Sequence, residues 1–207
     1  MGTIETQLNK RRFKMNIQIL LTSKDVEHLK QKARKLKQEE GITHTQALDK
    51  IAQRAKFNHW HHVCESYKRI EPTETAYRSG VIIAMDIKDT DDFYDEENLF
   101  VEDEYAFWIC QEDMYRQYGE MQDDDGIPIK NLESEDELRQ GFEEDMMNYS
   151  FFRLTGKKTP DAFEEVLSLV RERSFWPPMY VWLNGQFHNT FSQSATSETG
   201  EILGIRF

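Results

Sequence analysis

The sequence is short of several things, and each shortage excludes something. It has two cysteines, Cys64 and Cys110, in 207 residues. Two thiols so far apart do not make the dense framework of a small secreted scaffold, and both read as buried thiols. No stretch approaches 18 apolar residues free of charge, so no membrane-spanning helix is expected. The short run Ile17–Leu21 follows Lys10, Arg11, Arg12 and Lys14. It is interrupted by Gln18 and has no small-residue cleavage site, so it does not read as a signal peptide, and a cytoplasmic protein is expected. There is no P-loop, dinucleotide fingerprint, nucleophile elbow or zincin helix. No cofactor and no resident metal are expected, and the reading leans away from an enzyme.

What the chain does have is aromatics and charge. Aromatic residues make up 12% and charged residues 31%, with a net charge of −12. The aromatic content excludes a wholly disordered chain. The charge is unevenly placed. Residues 1–70 carry 15 Lys and Arg against 7 Asp and Glu, a net +8. Residues 71–150 carry 5 against 25, a net −20, and residues 151–207 balance at 6 and 6. Such asymmetry reads as a basic binding module joined to an acidic body. The acidic stretch is then solvated surface, an imitation of nucleic acid that meets a basic protein partner, or a mask for the basic arm.

Met15–Thr22 alternates, with Ile17, Ile19 and Leu21 on one face and Asn16, Gln18 and Leu20 on the other, which is the period of a strand. A helix follows, capped by Thr22 or Ser23, with Val26, Leu29, Ala33 and Leu36 as its apolar stripe and Gly41 as its stop. Thr43-His-Thr-Gln46 is a capping box that opens a second helix, with Ala47, Leu48, Ile51, Ala52 and Ala55 facing inward. Asn58 is expected to cap a third helix that buries Trp60, Val63, Cys64 and Tyr67.

Strand, helix, Gly-Ile-Thr turn and helix, over Met15–Ala55, resemble the ribbon-helix-helix DNA-binding proteins. The resemblance implies a homodimer whose paired strands enter the major groove, with Asn16 and Gln18 facing bases and the start of the second helix gripping a phosphate. Leu20 falls at a third outward position, where a polar or basic residue is expected. The implied nucleic-acid contacts are Lys10, Arg11, Arg12, Lys14, Asn16, Gln18, Lys35, Thr43 and Thr45, and the implied partner is DNA. Thr45–Trp60 is also similar to a short helical module at the front of plasmid and mobile-element proteins, some of them glyoxalase-related, with Lys56 where that module has Gly. An antitoxin-like or regulatory role on a mobile element fits both resemblances.

His59, His61, His62 and Cys64 crowd the third helix. His61 and Cys64 share a face, yet they supply only two metal ligands, so the cluster reads as a surface group over a packed cysteine. Glu71–Thr75 reads as a linker. Beyond it the expected elements are a buried strand at Val81–Ile87, an acidic loop at 89–97, a second strand across Phe100–Cys110, and a turn at Asp123–Pro128. A helix over Ser134–Tyr149 and another opened by Thr159 and Pro160 follow. The chain then reads as a hairpin turning at Asn184–Gly185 and a closing strand at Ile202–Phe207. Asp86, Asp89, Asp91, Asp92 and Asp95 offer hard oxygens, so a metal-dependent enzyme of the acidic loops is a further alternative, without the spacing of an EF-hand. The fold class is α+β: a basic strand plus helical module over 1–70, then an acidic mixed α+β domain over 76–207.

Overall fold

The computed structural model describes residues 20–93, 95–156, 158–197 and 199–205. The expected strand at Met15–Thr22 lies almost wholly outside them. The chain divides into two compact units, Met1–Ile70 and Glu71–Phe207.

In the first unit, α1 (Ser23–Glu40) starts at Thr22, whose hydroxyl accepts the Asp25 N–H while Asp25 accepts the Thr22 N–H. Two otherwise unsatisfied amides are thereby paired. Gly41 ends the helix at φ 66°, its N–H bonding the Lys37 carbonyl. The box Thr43/Gln46 then opens α2 (His44–Arg54). The inner faces meet as two clusters. Ala33, Leu36, Ala47 and Ile51 form one, and Leu21, Val26, Ala52, Phe57 and Val63 the other.

The third helix, α3, runs Trp60–Ser79 and so includes Glu71–Thr75, which were expected as a linker. Pro72 sits inside it. A proline removes one backbone bond and favours a break, but Thr73 and Ala76 just beyond it are buried in the second unit's interior, and that burial holds the turn helical. The cap of α3 is His59, not Asn58: the His62 N–H donates to His59 Nδ1 at 3.2 Å.

Lys56, at the end of α2, has φ 68°. For a residue with a Cβ this left-handed conformation costs about 1–2 kcal/mol. Lys56→Gly is therefore expected to stabilise the first unit by about 1 kcal/mol, after glycine's own entropic cost. Thermal unfolding followed at Trp60 would measure it.

The second unit is mixed α+β. Its elements are β1 (Val81–Asp86), β2 (Phe100–Glu102), α4 (Ala106–Glu120), α5 (Glu135–Met146), β3 (Tyr149–Leu154), α6 (Phe163–Arg171), β4 (Tyr180–Leu183), β5 (Gln186–Asn189), β6 (Ala195–Thr196) and β7 (Ile202–Gly204). Five strands form an antiparallel sheet in the order β2-β3-β1-β4-β5. Central β1 buries five consecutive residues because both faces of the sheet are covered. One face (Ile82, Ala84, Phe151, Tyr180, Trp182) meets Ala106, Cys110 and Met114 of α4 and Phe142 and Met146 of α5. The other (Val81, Ile83, Val181, Leu183) meets Val166 and Val170 of α6.

Three expectations for this unit are corrected. The run Phe100–Cys110 is strand only to Glu102, because Ala106, Cys110 and Met114 recur every four residues and α4 buries that stripe. Thr159 and Pro160 do not open α6, which begins at Phe163 behind Ala162, and the Thr159 hydroxyl donates to the Ser79 carbonyl instead. Ile202–Gly204 pairs with β6 as a separate two-stranded sheet and does not extend the main one. The helix expected over Ser134–Tyr149 is α5, capped by Ser134, with Tyr149 already in β3. The hairpin turns at Asn184 and Gly185, both at positive φ, as the twist of the flanking strands requires.

Candidate nucleic-acid interface

Helix α1 carries its cations around an apolar stripe. Three glutamates engage five of the first unit's cations: Glu27 with Lys30 and Arg34, Glu39 with Lys35, and Glu40 with Lys50 and Arg54. The Lys50 hydrogen bond holds the Glu40 carboxyl below its ordinary pKa. Such exposed pairs are worth little and exchange readily for a phosphate. Among the described residues, Lys24, Lys32, Lys37 and Lys56 have no carboxylate partner at all, and all four are exposed.

Lys35 stands with Lys32 and Arg54 on the rim of a groove between α1 and α2. The groove measures about 330 Å³ and is floored by Leu29, Leu36, Ile51 and Ala55. Lys32 and Arg54 were absent from the residues singled out in the sequence. The signal for Lys32 was the spacing Leu29-Lys32-Lys35-Leu36, which sets two cations beside an apolar pair on one face of α1; Arg54 had no such local signal.

Thr43 and Thr45 lie at the other end of α2. The Thr43 side chain is committed to the Gln46 N–H, which leaves the His44 and Thr45 amides without an intrahelical acceptor. Free amides at a helix start, together with the helix dipole, favour negative charge nearby. Eleven residues of helix rise, about 16 Å, separate Thr43 from Arg54. Lys35 is thus grouped with Lys32 and Arg54, not with the two threonines. Lys10, Arg11, Arg12, Lys14, Asn16 and Gln18 fall outside the described residues.

Several acidic residues of the second unit are bonded within it, although most are exposed. Burial alone would raise Asp95, but bonds from the Phe100 and Leu99 N–H groups and from Arg173 outweigh it and hold its carboxyl below the usual range. Asp123 accepts the Asp125 and Ile127 N–H groups at 3.0 and 2.8 Å, and Asp86 accepts the Lys88 N–H. Burial raises Asp145, and it raises the Tyr149 phenol beside it. Among the described residues, no group of three or more His, Cys, Asp or Glu side chains is placed to hold a metal ion. His59 is used as a cap, and His61 lies 3.9 Å from Glu65. Of the distant soft ligands, Cys110 is buried, which pushes its thiol well up, and His188 stacks on Phe163.

No family model, no curated protein and no solved structure matches this chain. The site is therefore read from its own residues. Among the described residues no helix is long and apolar enough to cross a membrane.

Proposed function

We propose that this is a nucleic-acid-binding accessory protein, whose basic N-terminal unit contacts the polyanion and whose acidic unit serves regulation or a protein partner. The observation that carries this reading is where the charge changes sign. Residues 1–70 hold a net +8 and residues 71–207 a net −20, and the division between the two compact units falls at the same place. A unit with its own apolar clusters and an excess of exposed cations gains affinity for any polyanion through counterion release. The resemblance to ribbon-helix-helix proteins adds a homodimer with Asn16 and Gln18 toward the bases and the His44 and Thr45 amides on a phosphate. An antitoxin-like role on a mobile element remains the biological setting that suits it.

A second reading rests on α5, where Glu135, Asp136, Glu143 and Glu144 are all exposed. Such a helix offers carboxylates to a basic protein, in the manner of a nucleic-acid mimic.

Fluorescence anisotropy of the full chain on a labelled duplex tests the first reading. About four phosphate contacts give a log–log salt slope near −3.6, a loss of about 150-fold between 50 and 200 mM salt. Replacing Lys10, Arg11, Arg12 and Lys14 by Ala should flatten that slope, and Gln18→Ala should relax sequence preference without changing it. Absence of binding at 50 mM salt would remove the reading in favour of the second.

A further inference from the structure

The α1/α2 groove has a feature that a nucleic acid does not use. Its floor is aliphatic (Leu29, Leu36, Ile51, Ala55), while its rim carries Lys32, Lys35 and Arg54 with Glu39, and Glu40 reaches Arg54 at 3.6 Å from outside the groove. Bases stack on aromatic rings or guanidinium planes, and this floor has no ring. A phosphate backbone would satisfy the rim and leave the floor empty. The matching ligand has an aliphatic tip set among carboxylates.

The chain itself carries such a tip. Residues 121–129 form a finger between α4 and the short 3-10 turn Ile129–Asn131. Gln122 bridges to Pro128, the Ile129 N–H bonds the Met121 carbonyl at 2.8 Å, and the Asp123 N–H bonds the Ile127 carbonyl at 3.0 Å. The Asp123 carboxylate closes the turn from inside, and Gly126 supplies the positive φ of 77°. At the tip Ile127 is 40% exposed, with Asp124 and Asp125 exposed beside it. Because the turn is held by its own bonds, little ordering cost remains to be met on docking.

We infer that the α1/α2 groove receives the 121–129 finger of a second copy of this chain, with Ile127 on the aliphatic floor and Asp124 and Asp125 against Lys32 and Arg54. The contact is heterologous, since groove and finger are different surfaces. Each copy keeps one of each in reserve, so association grows with concentration beyond a pair unless two contacts close on each other. An interface of one finger belongs to the weak, transient class. Its occupation covers Lys35, so self-association and polyanion binding compete there. The inference goes beyond the nucleic-acid reading and is tested without nucleic acid.

Sedimentation equilibrium of the full chain, from about 10 to 500 µM, is the experiment. The weight-average mass at 50 mM salt should rise with concentration above the value the same chain gives at 500 mM, whether that base species is a monomer or a strand-paired dimer, because the Debye length shortens at the higher salt. Lys32→Glu with Arg54→Glu should weaken association at least tenfold, and so should Ile127→Ser. These residues are on the surface, and circular dichroism checks that the variants are folded. The decisive arm mixes the Lys32→Glu/Arg54→Glu chain with an Asp124→Lys/Asp125→Lys chain. Neither alone should exceed that base species, and the mixture should. A mass that never exceeds the 500 mM value, an excess over that value that persists in the groove variant, or a mixture that shows no such excess would each overturn the proposal.

Discussion

Replacing Asp103 by Ala is expected to lower the stability of the second unit by about 4 kcal/mol, because it breaks a buried charge pair from one side. The Asp103 side chain is 6% exposed and accepts the Arg153 Nε–H at 3.0 Å and the Thr73 hydroxyl at 2.7 Å through the same oxygen. Its other oxygen accepts the Tyr105 N–H at 3.0 Å, one residue before α4. One carboxylate thus ties the later part of α3, the entry to α4 and the edge strand pair β2–β3. Removing it leaves a guanidinium that is 23% exposed with no counter-charge, and a hydroxyl at a residue 1% exposed with no acceptor. Asp103→Asn keeps one acceptor oxygen but loses the charge and sets an NH2 against the other donors, so its loss should be smaller than that of Ala but still substantial. Urea unfolding followed at Trp108, Trp176 and Trp182 reports this unit. A midpoint for the Ala variant within error of the parent would show that the knot is ornamental.

Trp182→Ala should cost a comparable amount, about 3–5 kcal/mol, by a different route. Trp182 is fully buried on the face of the sheet covered by α4 and α5, with its ring 5.3 Å from that of Phe187 and 6.3 Å from that of Phe151. Its indole N–H donates to Asp113 at 3.1 Å, and the same oxygen accepts the Tyr77 hydroxyl at 2.8 Å. Burial and that carboxylate push the Tyr77 phenol up to about 12. The Ala variant opens a cavity and takes one donor from Asp113. Trp182→Phe fills most of the cavity and takes only the donor, so it should retain well over half of the lost stability. Equal losses for Phe and Ala would assign the whole effect to the hydrogen bond.

The elements legible in the sequence are those specified by neighbours a few residues apart. Thr22 with Asp25, Thr43 with Gln46, and Gly41 after α1 mark helix ends through side chains that meet amides one turn away. Asn184–Gly185 marks the hairpin through its backbone angles. The misread elements depend on partners far along the chain. Tyr105–Cys110 is apolar enough for a strand or a buried helix, and what decides is the reach of the stripe to Met114 and the sheet face it covers. Pro72 reads as a break until Thr73 is seen bonded to Asp103, 30 residues on. At the candidate interface, single cations such as Lys35 were readable. The groove that gathers it with Lys32 and Arg54 was not, since it exists only once α1 and α2 are packed.

The strand order has a consequence for how the protein is made. Central β1 pairs with β3 and β4, so Ala84 meets Phe151 on one side and Tyr180 on the other. The first unit, complete by residue 70, has everything it needs soon after leaving the ribosome. The Val81–Met85 segment emerges next and stays without either neighbour while about seventy, then about a hundred, further residues are translated. At 5–20 residues per second that is a wait of roughly 4–20 s with an aliphatic strand uncovered. The nascent chain should be most vulnerable to aggregation, and most dependent on a chaperone, within that interval.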